Sequence, residues 1–325
     1  MATKQTQPEM LARVVEHLRQ ADTFFAAAHI MPDGDCIGSL LALGWALREM
    51  GKTVTLALDD KVTDTFDYLP GLEECKPRLP GAEQLFVYVD GSDRARYGRS
   101  YDKERIGQRL TINIDHHVTN DGFADINLVD TSAASTAEII YEVIQELGVA
   151  FTPGIAQALL TGIVTDTLGF RTTATTAETL DKATELVRCG GNIPEIVERV
   201  YNRRSLNSLR LLGYTIDHSQ IDGSTIWSQV SRETLRQFGL NGNSTGGVVN
   251  TLLSVAEARI AFFLVEKENG QVEVGLRARS GGDVSGVAFR LGGGGHKQAS
   301  GATIPGPLAT AARRVLDEIH KELDQ

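Results

Sequence analysis

The chain has 325 residues, 42% of them apolar, and a formal net charge of −10, enough to bury a core and to form two domains. Aromatics are only 6% and Lys and Arg form no block, so the basic stripe and stacking rings of a protein that tracks long nucleic acid are missing. No apolar run reaches the roughly 18 residues of a membrane span, and the opening MATKQTQPEM lacks a secretory signal, so a soluble cytoplasmic protein is expected.

In chain order, residues 23–30, 53–58, 85–89 and 110–114 read as strands, and 37–50 and 136–147 as helices. Such alternation predicts an α/β fold, a parallel sheet with helices on both faces, over residues 1–190. Residues 191–218 are helical in pattern and read as a linker. Strand-like runs at 225–230, 259–265, 272–276 and 302–304, with helices at 284–291 and 308–323, predict a smaller α+β domain over 219–325. That last stretch holds 11 basic and 11 acidic side chains, so the acidic excess lies wholly before it.

The three cysteines, Cys36, Cys75 and Cys189, are odd in number and show no C-x-x-C spacing, which argues against a disulfide framework or a thiolate zinc site. Cys36 reads as a small packed residue. His17, His218 and His320 read as surface residues and Trp45 and Trp227 as core. Ser135-Thr136 reads as a helix start whose dipole could face a site.

Four places share one design, an apolar run ending abruptly in Asp or His. They are His29 with Asp33 and Asp35 in HIMPDGD, Asp90 in YVDGSD, Asp115-His116-His117 in IDHH, and Asp166 in TGIVTDT. Any one Asp in such a place is ordinarily a helix cap or turn residue. Four together, mostly at the strand ends where α/β sheets bind ligands and the last at the end of a helical run, form a charge cluster that needs cations. Mixed His and Asp donors suit Mn²⁺ best, with Mg²⁺ or Co²⁺ compatible. His29, Asp33, Asp35, Asp90, His116 and Asp166 are more ligands than one four-coordinate ion uses. Two ions ~3.5–4 Å apart, sharing a carboxylate, would use them to activate a water for in-line attack at phosphorus.

In order and rough spacing the four motifs resemble those of the DHH phosphoesterases, named for the triplet at positions 115 to 117. The run GGGGH at residues 292–296 resembles the signature of the associated DHHA1 domain. The resemblance implies that His29 and Asp33 bind one metal, that Asp35, His116 and Asp166 bind the other, and that Asp90 bridges them. It makes His117 the group facing the substrate phosphate and Asp115 a carboxylate that orients a histidine. Asn120 is implied as a phosphate contact, with Ser92 and Arg96 as weaker candidates, Arg96 reading as a surface arginine. In the second domain it implies that Gly293, Gly294, Gly295, His296 and Arg277 hold the remote part of a nucleotide. Arg279 joins them if the strand continues and puts it on the Arg277 face. The family's serine-leucine-arginine-serine run is here Gly275-Leu276-Arg277-Ala278, without either hydroxyl.

The layout resembles the oligoribonuclease (nanoRNase) and 3′-phosphoadenosine 5′-phosphate (pAp) phosphatase group. That implies cleavage of RNA oligomers of about two to five nucleotides to 5′-mononucleotides, a length limited by the reach of two lobes, and dephosphorylation of pAp. A phosphodiesterase for cyclic di-AMP or linear signalling dinucleotides shares this layout, and a non-catalytic nucleotide sensor is the alternative of another class. Family analogy also implies a homodimer.

Overall fold

The computed structural model describes residues 7–240 and 247–323, with His296 described by its backbone alone. The chain divides after Arg203 into two compact units.

The first unit runs α1 (Gln7–Gln20), β1 (Thr23–Ala28), α2 (Gly34–Glu49), β2 (Thr53–Ala57), β3 (Leu85–Val89), α3 (Lys103–Ile106), β4 (Leu110–Asp115), β5 (Ile126–Val129), α4 (Thr136–Leu147), α5 (Pro153–Asp166), α6 (Ala177–Arg188) and α7 (Ile193–Val197). Its sheet is parallel, in the order β2-β1-β3-β4-β5. The central strands β1 and β3 are near-continuous apolar runs because both faces are covered. Phe24, Ala26, Val87 and Ile112 face the core shared with α1, α2, α4 and α5. Phe25, Phe86 and Tyr88 face a smaller cluster closed by Tyr97 and by Ile106 of α3.

Strand order reverses at β1, which has β2 on one side and β3 on the other. Such a switch point opens a crevice beyond the carboxyl ends of the strands. β1 ends at Ala28, two residues before the sequence pattern does, because Ile30 N–H bonds Arg96 O and Met31 turns into a left-handed conformation at φ 55°. β5 was absent from the sequence reading. It has only four residues and alternates buried and half-buried positions, too short for a period to stand out.

The second unit runs α8 (Leu206–Asp217), β6 (Gln220–Asp222), β7 (Thr225–Val230), α9 (Arg232–Gln237), α10 (Val248–Leu253), β8 (Ile260–Glu266), β9 (Gln271–Ala278), α11 (Ser285–Arg290), β10 (Gly294–His296), β11 (Ala299–Pro305) and α12 (Leu308–Leu323). Its mixed sheet has the order β10-β11-β9-β8-β7-β6. Trp227 stacks on Phe262 inside one of its cores. The helical stretch 191–218 is shared between the units. Ile196 is buried in the first core and Leu211 in a second-unit core, with a turn of π-helix over Glu198–Asn202 between them.

Candidate active site

The crevice at the switch point collects the Asp and His residues. His29 follows β1, Asp90 follows β3, Asp115 ends β4, Asp33 caps α2 and Asp166 ends α5. The helix-cap and ligand readings of Asp33 hold together. Its Oδ1 accepts the N–H groups of Asp35 and Cys36, both at 3.1 Å, while Oδ2 lies 3.7 Å from His29 Nε2.

Two glycines let this happen. A Cβ on Gly38 of α2 would meet the Ala158 carbonyl at 2.2 Å, and one on Gly162 of α5 would meet Ala137 at 2.5 Å and Asp35 Oδ1 at 2.6 Å. Only without those atoms can α2, α4 and α5 approach closely enough to bring Asp35 and Asp166 to one place.

Asp90 lies between His29 and His116. Its Oδ2 lies 3.3 Å from His29 Nε2 and its Oδ1 3.7 Å from His116 Nε2. His116 Nε2 also lies 3.2 Å from Asp166 and 3.8 Å from Asp35. His29, Asp33, Cys36 and Asp90 offer one group of donor atoms within 4.8 Å of one another; Asp35, His116 and Asp166 offer another, and Asp90, His116 and His117 a third. Asp90 has φ 58°, a left-handed backbone that a non-glycine residue holds at a cost.

The surrounding bonds orient these groups. Asp35 accepts from the backbone of α4's first turn, Thr136 N at 2.6 Å and Ala137 N at 2.9 Å, so that helix start faces the site as its sequence suggested. Thr136 Oγ1 donates to Asp90 Oδ1 at 2.9 Å, a contact the sequence reading missed. Asp115 Oδ1 lies 2.7 Å from His117 Nδ1 and its Oδ2 accepts from Asn120 Nδ2 at 2.6 Å. The Asn120 amide also donates to Asn113 Oδ1, and its own oxygen accepts from Gly122 N. Asn120 thus braces Asp115. Asn113, also missed, donates to Tyr88 O, Gly91 O and the Tyr97 hydroxyl. A buried amide in an apolar strand was the signal for it.

Arg96 is not a surface residue. It is half-buried, with Nη2 3.1 Å from His29 Nδ1. Cys36 is fully buried, and burial above all pushes its thiol up to about 12.

Electrostatics fit a cation. Burial, then the charges of neighbouring carboxylates, push Asp35 and Asp166 well above the usual carboxylate range. Burial acts the same way on Asp90, but the hydrogen bond and charge of His29, with His117 and His116, hold it low. Burial lowers His117, yet the bond to Asp115 and the charge of Asp90 outweigh that and raise it to about 9. A crowd of buried carboxylates, some driven toward neutrality, is what divalent metal reverses. These oxygen and imidazole groups could hold such ions.

In the second unit Arg277 lies opposite Ala299 of β11, which itself pairs with the His296 backbone of β10. Arg277 Nε donates to Asn250 Oδ1 at 3.1 Å. β9 ends at Ala278, so Arg279 lies past the strand, and its Nη2 donates to the carbonyls of Leu253 and Val255 at the end of α10. A Cβ on Gly293 would meet Gly301 O at 2.0 Å and one on Gly295 would meet Ala299 O at 2.6 Å, whereas Gly294 faces open space. Gly293 and Gly295 serve the close approach of this segment to β11; Gly294 has room for a ligand. The His296 side chain lies outside the described residues.

The DHH family N-terminal domain model matches residues 23–163 and the DHHA1 domain model residues 223–325. The bifunctional oligoribonuclease and PAP phosphatase NrnA of Thermus thermophilus is 34% identical, over 97% of this chain and 95% of its own. The chain belongs to the DHH family. The NrnA of Bacillus subtilis is 30% identical over 91% of this chain and 93% of its own. An exopolyphosphatase-related protein of Bacteroides fragilis, 24% identical, shares the fold with a TM-score of 0.89 over 98% of both chains. Like its full-length DHH relatives, the chain is a hydrolase. Among the described residues no helix is long and apolar enough to cross a membrane.

Proposed function

We propose that the protein hydrolyses phosphoesters of small nucleotides, cutting RNA of about two to five nucleotides, the length the family resemblance implies, to 5′-mononucleotides and converting pAp to AMP. The observation that carries this is Asp90, whose two carboxylate oxygens face two separate ligand groups. His29 and Asp33 would hold one ion, Asp35, His116 and Asp166 the other, and Asp90 both. Mn²⁺ is the metal we assign, with Mg²⁺ or Co²⁺ as substitutes. Bound there, such a pair supplies positive charge for the phosphoryl oxygens and a nucleophile at neutral pH.

The chain's own groups do the rest. Asp115 holds the His117 ring by Nδ1 and so aims Nε2 for proton transfer to the leaving oxygen. Asn120 keeps Asp115 in place. We assign catalysis to residues 1–190 and substrate contacts to 219–325, where Arg277 and the open side of Gly294, with Gly293, Gly295 and His296 around it, suit a terminal phosphate. Arg279 is the weaker contact, being engaged with α10. The names of the full-length relatives support both substrates. A cytoplasmic location is part of this reading, because short RNA oligomers arise where RNA is degraded. Homodimerisation rests on family analogy and is read by sedimentation of the full chain.

A Mn²⁺-supplemented turnover panel tests the reading, with a labelled RNA dinucleotide, long single-stranded RNA, pAp, cyclic di-AMP and pyrophosphate. The dinucleotide and pAp should be turned over fastest. Preference for cyclic di-AMP would reassign the substrate, and silence on all five would sink the proposal in favour of a nucleotide sensor.

A further inference from the structure

Asp166 ends α5, and the carbonyls of that last turn are bonded from two directions. The final carbonyls of a helix have no partner within it. Nearby in the chain, Thr167 Oγ1 donates to Ile163 O at 2.6 Å, Gly169 N to Val164 O at 2.7 Å and Leu168 N to Thr165 O at 3.1 Å. Leu168 at φ 52° and Phe170 at φ 63° are left-handed without being glycine. Residues hold such a backbone only where their surroundings over-determine it, and they gather at functional sites.

The second direction is remote in sequence. The Tyr201 hydroxyl donates to Val164 O at 3.1 Å, with Thr165 O at 3.5 Å. Tyr201 lies in the π-helical turn Glu198–Asn202, a winding that is rare and recurs at functional sites. Other contacts fix the same turn to the first unit. Arg199 Nη1 lies 3.0 Å from Asp67, and its guanidinium sits 5.9 Å from the centre of the Tyr68 ring. The Tyr68 hydroxyl in turn lies 2.8 Å from Thr161 Oγ1 of α5. Val200 and Tyr201 pack against the core of that unit.

On the metal reading above, we infer that Tyr201 is a positioning residue for Asp166. It clamps the carbonyls just ahead of Asp166 and so holds the carboxylate where it meets His116 Nε2 at 3.2 Å. The clamp belongs to the last stretch of chain before the second unit, which begins after Arg203. Metal bound at Asp166 therefore steadies residues 198–202. By linkage, a disturbance of that turn weakens the metal by the same factor. The effect is selective, because the group of His29, Asp33, Cys36 and Asp90 does not contain Asp166.

The test uses the full chain with Tyr201→Phe, which keeps the ring and removes the hydroxyl. In a Mn²⁺ titration followed by electron paramagnetic resonance, one ion should bind about threefold to tenfold more weakly, the size of one lost hydrogen bond. It should be the ion that Asp166→Asn removes, and the other should bind as before. Equal weakening of both ions, as a general loosening of the unit would give, overturns the proposal, and so does no weakening. Mn²⁺ should slow amide hydrogen exchange across residues 198–202 in the natural protein, and the slowing should be lost in Tyr201→Phe. Exchange that ignores Mn²⁺ in the natural protein overturns the linkage. If the natural protein binds no Mn²⁺, the metal reading fails alone. The carboxyl carbon resonance of Asp166 still decides the role of Tyr201: it should be displaced in metal-free Tyr201→Phe, and an unmoved signal overturns the clamp.

Discussion

In the first unit His29, Asp35, Asp90 and His116 are almost wholly buried, each held by a strand end, a helix start or a neighbouring side chain. In the second unit Arg277 is half-buried near the end of the inner strand β9, and Arg279 is exposed just past it. On the proposed function, the contrast suits the work of each unit. Reacting groups must be fixed to a fraction of an ångström before substrate arrives, which burial and a second layer of bonds achieve. Groups that hold the remote end of a ligand can stay solvated, because there binding tolerates a looser geometry. Loss of a buried donor in the first unit should therefore cost rate and metal together, and loss of Arg277 in the second should cost binding alone.

The sharpest break in that comparison is Asp90→Asn. Removing the shared negative charge should lower kcat by about a thousandfold or more, with bound metal falling in elemental analysis. Wild-type turnover would remove Asp90 from the site. Next comes Gly162→Ala, where the added methyl meets Ala137 and Asp35. A loss of about 1–3 kcal/mol is expected in urea unfolding, and an unchanged midpoint would show that the packing yields. Arg277→Ala should raise KM about tenfold for substrates with a terminal phosphate while kcat and unfolding stay put. A fall in kcat instead would blur the division between the units. Thr136→Val should cost about 1 kcal/mol through its lost bond to Asp90 and weaken Mn²⁺ binding several-fold by calorimetry. The smallest effect is expected of Arg279→Ala, about 0.5 kcal/mol for the end of α10. A clear rise in KM there would promote Arg279 to a substrate contact.

Much of this was legible in the residues. The strands at 85–89 and 225–230 and the helices at 136–147 and 308–323 match β3, β7, α4 and α12 end for end, because β3 is an unbroken apolar run, Ser224 and Ser231 border β7, Ser135 and Gly148 border α4, and Pro307 precedes α12. The six ligand candidates of the first unit do converge. Thr136, Asn113 and the Arg96 contact were not readable, since each depends on a partner far away in the chain whose direction no local period reveals. Asn120 shows the same limit: its position could be read, but which groups its amide meets could not.

The sequence by itself determined the strand-forming runs, the oxygen and imidazole donor types and their order along the chain, because hydrophobic period and side-chain chemistry are local properties. Tertiary structure alone decided that Asp90 turns one oxygen to His29 and the other to His116, that Asp35 takes its bonds from the start of α4, and that Arg279 donates to carbonyls at the end of α10. Those outcomes come from a sheet order that reverses at β1 and from helices that meet atom on atom at Gly38 and Gly162, and such contacts exist only once distant segments have packed.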